Sequence, residues 1–152
     1  MVSNVDTVDP REIQALQMYL NEYGQQMEII SQQLNLIEQQ RMDAMAAVES
    51  LQTLEQSEDG IVLLPLGGGA IVRAQVIDPG HVLVNIGADV VVERTSKDAA
   101  EYLRDRMTEL EALGKKMADS LEQLRIQANE LTRRLEAAYQ KVQQAQQARG
   151  GS

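Results

Sequence analysis

The chain has 152 residues, 43% of them hydrophobic but only 3% aromatic: four tyrosines, with no Phe and no Trp. Its formal charge of −9, from 14 basic and 23 acidic residues, argues against nucleic acid or an anionic membrane as the main partner, because both call for a basic patch. The absence of cysteine excludes disulfides and thiolate metal sites and fits a reducing, cytoplasmic setting.

Compact cores of this size usually rest on several large aromatic anchors. Their scarcity beside abundant Ala, Glu, Gln and Leu points to extended helix. No stretch reaches the ~20 apolar residues of a membrane span, and "MVSNVDTVDP" lacks the basic start and apolar run of a signal peptide. Residues 1–8 read as a flexible terminus.

The first element, 10–57, is a helix with a legible start. Asp9 is an N-cap, Pro10 suits the first helical position, and Glu12 follows three residues after the cap. A seam then runs through Ile13, Leu16, Leu20, Tyr23, Met27, Ile30, Leu34 and Ile37 in alternating steps of three and four, the heptad rule of a coiled coil. Arg41 and Ala44 weaken it, Val48 and Leu51 resume it, and "SEDG" ends it.

Residues 60–94 change character. "GIVLLPL", "AIVRAQVI", "HVLVNIG" and "DVVVERT" read as four short strands forming two β-hairpins. Gly67 to Gly69 and the "GAD" at Gly87 supply the tight connections, "DPG" links the hairpins, and Pro65 marks an edge or a bulge. An isolated hairpin is marginally stable, and exposed apolar strand edges invite pairing. The segment is therefore expected to be an oligomerisation platform, with Val62, Leu64, Leu66, Val72, Val76, Val82, Val84, Ile86, Val90 and Val92 closing an intersubunit sheet or barrel.

The last element, 96–148, is a second helix that Thr95 or Ser96 can cap, followed by a flexible terminus at 149–152. Its seam is Leu103, Met107, Leu110, Gly114, Met117, Leu121, Leu124, Ala128, Leu131, Leu135, Ala138, Val142 and Ala145. Two seams of matched length predict a mainly α fold, a long antiparallel coiled-coil hairpin joined by the two β-hairpins. Residues 10–57 carry 7 acidic and 2 basic groups and 96–149 carry 9 acidic and 10 basic, so a net −5 helix would lie beside a net +1 helix. If Leu51 lies near Met107, Leu20 falls near Ala138 and Ile13 near Ala145.

Helix, then "VLLPLGGGAIVRAQVIDPGHVLVNIGADVVVE", then helix resembles the alpha-type subunits of the prefoldin family over about residues 10–148. Two hairpins in the insert favour the alpha type, since beta-type subunits have one. The resemblance implies an ATP-independent co-chaperone: two alpha and four beta subunits joined through a double β-barrel, with six projecting coiled coils. Their distal tips would hold unfolded proteins and pass them to a group II chaperonin.

At such a tip the first helix offers Ile13, Leu16, Met18, Tyr19, Leu20 and Tyr23, and the second offers Tyr139 and Val142 among alanines. Met18 and Tyr19 lie off the seam, where a solvated face gains nothing from them, and a flexible thioether suits irregular apolar surfaces. Met42 and Met45 read as local repacking around Arg41, and Gly114 as a looser segment or a close helix approach. The Gly triplet lacks the Lys and Ser/Thr of a phosphate loop and joins strand to strand. His81, the one histidine, sits beside a turn without clustered ligands. Nothing assembles a catalytic, cofactor or metal site, so the chain is not read as an enzyme. The competing expectations are a structural assembler that forms filaments or tethers partners, and a regulatory coiled-coil adaptor; an open homopolymer would favour the first and a single specific partner the second.

Overall fold

The structure, a computed structural model, describes residues 9–150. Two helices bracket four strands: α1 (Pro10–Gln56), β1 (Ile61–Gly67), β2 (Ala70–Gln75), β3 (His81–Gly87), β4 (Val90–Thr95) and α2 (Ser96–Gly150). The sequence-based fold class holds at this level, with two long helices and two antiparallel hairpins. The expected flexible terminus at 1–8 lies outside the described residues, as do 151 and 152. The terminus expected at 149–152 needs correction at its start: Arg149 and Gly150 continue α2, because a final helical turn needs no packing partner and helix boundaries shift by a residue or two.

Asp9 caps α1 with its own carboxylate, which accepts the Arg11 amide at 3.0 Å, while its carbonyl accepts the Glu12 amide at 3.0 Å. At the other end the Ser57 amide folds back on the carbonyls of Thr53 and Leu54, and the Ser57 hydroxyl accepts the Gly60 amide at 3.2 Å. Gly60 is buried with φ 63, and a Cβ there would stand 3.3 Å from the Val76 carbonyl oxygen. Only glycine meets both demands at this helix-to-strand corner.

The two hairpins are one pattern used twice. β1 and β2 pair from Ile61↔Gln75 to Pro65↔Ile71, then shift register between Pro65 and Gly67. Twenty residues on, β3 and β4 pair from His81↔Thr95 to Asn85↔Val91 and shift between Asn85 and Gly87. Both shifts are β-bulges, and each precedes a two-residue turn with positive φ at both positions. The first turn uses Gly68 (φ 59) and Gly69 (φ 85), the second Ala88 (φ 50) and Asp89 (φ 60). Reading the two hairpins separately hides this repeat; aligning "IVLLPLGGGAIVRAQ" with "HVLVNIGADVVVERT" exposes it. The bulge expected at Pro65 is there, and the hairpins form two separate two-stranded sheets.

Thr95 and Ser96 divide the capping work. Thr95 Oγ1 accepts the Asp98 amide at 3.1 Å and so caps α2. Ser96, only 2% exposed, turns inward: its amide donates to the Gly80 carbonyl at 2.9 Å and its hydroxyl to the Pro79 carbonyl at 2.7 Å.

The chain divides into two compact units: residues up to Asn35 with those from Lys115 onward, and Leu36–Gly114. In the first, helical unit, Ile13, Leu16, Leu20, Tyr23, Met27, Ile30 and Leu34 are the sheltered apolar positions of α1, with Ser31 half-buried beside them. On α2 they are Met117, Leu121, Leu124, Ala128, Leu131, Leu135, Ala138 and Val142. The heptad reading names each of the apolar ones but not Ser31; Ala145, the last expected seam residue, is exposed. Most seam residues are half-buried, as expected of helices that can cover only one stripe of each other.

In the second unit the helices run antiparallel. Ile37 meets Gly114, where an added Cβ would lie 3.6 Å from Ile37 Cγ2, and Arg41 Nη1 reaches Glu111 at 3.8 Å. The register considered from the sequence, with Leu51 near Met107, would carry Ile37 to Leu121 and Arg41 to Met117, so within this unit the helices are offset from it by about one heptad. A seven-residue pattern matches itself when slid by seven, so apolar spacing alone cannot choose between the two registers. Arg41 is also more than a flaw in the seam: its guanidinium grips Glu38 by two hydrogen bonds (Nε–Oε2 3.1 Å, Nη2–Oε1 2.6 Å) while reaching across to Glu111.

Candidate functional site

The helical unit presents an apolar surface away from the seam. Met18 is 66% exposed and Tyr19 53%, and with Ala15, Asn21, Glu22 and Gln25 they line a hollow of about 380 Å³ on α1. Residues three, four and seven apart share a helix face, which brings Ala15, Met18, Tyr19 and Glu22 together. Of the other expected contact residues, Leu16 is buried and Ile13, Leu20 and Tyr23 are half-buried in the seam. Those four support the surface more than they form it. Ile29, also exposed, lies two heptads from Ala15 on the same helix stripe; the sequence reading missed it because it looked off the seam only near the helix start and around Arg41.

On α2, Val142 is half-buried and Tyr139 exposed. The Tyr139 hydroxyl accepts a hydrogen bond from the Gln17 side chain of α1. Its phenol is thus fixed by a partner inside the unit, whereas Met18 and Tyr19 have their side chains in the open.

The strand-bearing unit carries the second surface. Pairing places Val62, Leu64 and Val72 on one face of the first hairpin and Val82, Val84 and Val92 on the equivalent face of the second. Val84 is buried and Val62, Val76, Val82 and Val92 are half-buried, while Leu64, Leu66, Val72, Ile86 and Val90 are exposed. The expected platform residues therefore fall into a sheltered group and an open one. The opposite faces are open too, through Ile61, Leu63, Ile71, Leu83 and Val91, and Ile77 between the hairpins is fully exposed. A hollow of about 560 Å³ lies within the same unit, bounded by Leu51, Leu54, Ala99 and Leu103 of the helices and by Val62, Val82 and Val84 of the hairpins. Exposed apolar surface on this scale marks an interaction site.

His81 Nδ1 lies 3.0 Å from Asp78 Oδ2, and the Asp78 carboxylate also takes the Gly80 amide, so this histidine braces the inter-hairpin turn. Among the described residues no helix is long and apolar enough to cross a membrane, and no group of three His, Cys, Asp or Glu residues is placed to hold a metal ion.

The sequence model of the prefoldin-subunit family matches residues 23–141. The chain belongs to the prefoldin family. Prefoldins are chaperones rather than enzymes. The chain is 64% identical over 148 residues to the prefoldin subunit alpha of Methanoculleus marisnigri, covering 97% of this chain and 99% of that one. It is 55% identical over 145 residues to the prefoldin subunit alpha of Methanoregula boonei, covering 95% and 91%. Among solved structures, filamentous prefoldin from Methanocaldococcus jannaschii superposes with a TM-score of 0.66 at 19% identity, over 78% of this chain and 98% of that one. The prefoldin beta subunit of Thermococcus strain KS-1 superposes with a TM-score of 0.59, also at 19% identity, over 88% and 96%. These two likenesses concern the fold, and they agree with the helix, hairpins, helix order found here.

Proposed function

We propose that this chain is the alpha subunit of an ATP-independent co-chaperone. It assembles with beta-type subunits, two alpha with four beta, holds non-native proteins on the helical unit, and delivers them to a group II chaperonin in the cytoplasm. The observation that carries this reading is the exposure of Met18 and Tyr19 beside a shallow hollow on α1. A large flexible apolar group and an aromatic ring standing open to water suit a partner whose shape varies from one encounter to the next. The uncovered hairpins support the assembly part, since their exposed Leu, Ile and Val residues need the strands of other subunits to shelter them.

The test mixes the chain with a beta-type prefoldin subunit and weighs the product by native mass spectrometry. The same complex is then added, without nucleotide, to a test protein diluted from guanidinium. A discrete species with two copies of this chain that suppresses light scattering is the expected result. A complex that forms but leaves aggregation unchanged would overturn the holding role.

A second reading is a structural assembler, favoured by one observation: the chain superposes on a subunit of a filamentous prefoldin. In that case the chain alone would grow into open-ended polymers and would ignore the beta subunit.

A further inference from the structure

The hollow on α1 combines apolar and acidic features in a way that narrows its clients. Met18, Tyr19 and Ala15 supply its apolar part, and the acidic Glu22 is among the residues that line it. Among the described residues Glu22 has no ion pair, and neither do Glu12 and Glu28 on the same stretch of helix. Between residues 10 and 35 these three carboxylates face a single basic residue, Arg11. The α2 segment of the same unit differs: Arg125 pairs with Glu122 and Arg134 with Glu130 along their own helix. No basic residue lines the hollow.

A carboxylate and a tyrosine ring lining one hollow offer a cation two gains, one from the charge and one from the ring quadrupole. Neither group rewards an anion. A volume of about 380 Å³ is at the small end of ligand pockets and accommodates one or two side chains rather than a folded surface. The geometry points to a client preference: the hollow takes non-native segments in which a lysine or arginine lies within a residue or two of a large aliphatic or aromatic side chain. The apolar group packs on Met18 while the cation lies between Tyr19 and Glu22. This rests on the reading that the helical unit holds non-native chains, and adds the chemical class that it holds best.

Three fluorescent 15-residue peptides of equal leucine content, carrying lysine, glutamine or glutamate between the leucines, provide the probes. Their binding to the assembled complex is followed by anisotropy at low and moderate salt. The lysine peptide is expected to bind about fivefold more tightly than the glutamine peptide and the glutamate peptide less tightly than either, a margin that shrinks as salt rises. E22Q should erase most of that margin and leave the glutamine peptide unaffected. E101Q, which removes an exposed carboxylate from the other unit, should preserve it and so separates a local site from the chain's general acidity. Equal binding of the three peptides, or a margin that survives E22Q, overturns the charge preference alone. No binding of any peptide, together with unsuppressed aggregation, overturns the holding function beneath it.

Discussion

Ala88 and Gly68 occupy the same place in the two copies of the hairpin, and both have φ near +50 to +60. An L-residue with a side chain is disfavoured there by roughly 1–2 kcal/mol. Part of that is offset because alanine loses less backbone freedom than glycine on folding. Ala88→Gly is therefore expected to stabilise the chain by about 0.5–1 kcal/mol, and Gly68→Ala to destabilise it by a similar amount, both measured by chemical denaturation. Equal midpoints for the three proteins would refute the account. Ser96 presents the opposite case, a side chain that cannot be spared. Removing its hydroxyl leaves the half-buried Pro79 carbonyl without its donor, so Ser96→Ala should cost about 1–2 kcal/mol. An unchanged unfolding midpoint would show that another donor replaces it.

At the scale of the helix, Gly114 is a weakness that the packing can spare. A Cβ there would meet only Ile37 Cγ2, at the ordinary contact distance of 3.6 Å. Gly114→Ala should recover roughly 1 kcal/mol of helix propensity and raise the melting temperature by about 2–4 °C. A fall would mean that the helices approach more closely than the backbone indicates. On α1, Glu38 and Arg41 add a small pH-dependent contribution. The hydrogen bonds from Arg41, helped by its charge, hold the Glu38 carboxyl below its ordinary value of 4.5. A carboxyl whose folded pKa is lowered contributes stability above the unfolded value, and that contribution disappears as pH falls through the folded one. Both partners are exposed, so the effect is small. E38Q should lower stability slightly at neutral pH and flatten its fall below about pH 4.5; an unaltered acid profile would dismiss the pair as a contributor.

For the whole molecule, the prediction concerns assembly. Leu66 and Val90 are both exposed and lie beside the bulges of their hairpins, so their charge can change without disturbing a buried core. The double variant Leu66→Glu/Val90→Glu should keep the far-UV circular dichroism of the parent chain and lose incorporation into complexes with beta-type subunits. Normal incorporation would show that the hairpins are not the docking surface. The helical unit of that variant should still bind the lysine peptide, which separates holding from assembly.

What the sequence by itself determined was everything set by local period. Steps of three and four named most of the sheltered positions from Ile13 to Leu51, missing Ser31 and Ala47, and those from Leu103 to Val142, because a helix brings such residues onto one stripe whatever lies opposite. Glycine, Pro65 and the alternation of Val and Leu located the hairpins for the same reason. The off-seam exposure of Met18 and Tyr19 was legible too, since a residue outside the seam has nothing to cover it. What only the tertiary structure decided was which groups meet. Heptads slide by seven without penalty in apolar spacing, and the choice between registers fell to individual contacts: Ile37 against Gly114, and Arg41 against Glu111. Whether Thr95 or Ser96 would cap α2 was open in the same way, because both carry a hydroxyl at the right place. The Pro79 carbonyl, seventeen residues back along the chain from Ser96, decided it by drawing Ser96 inward and leaving the cap to Thr95.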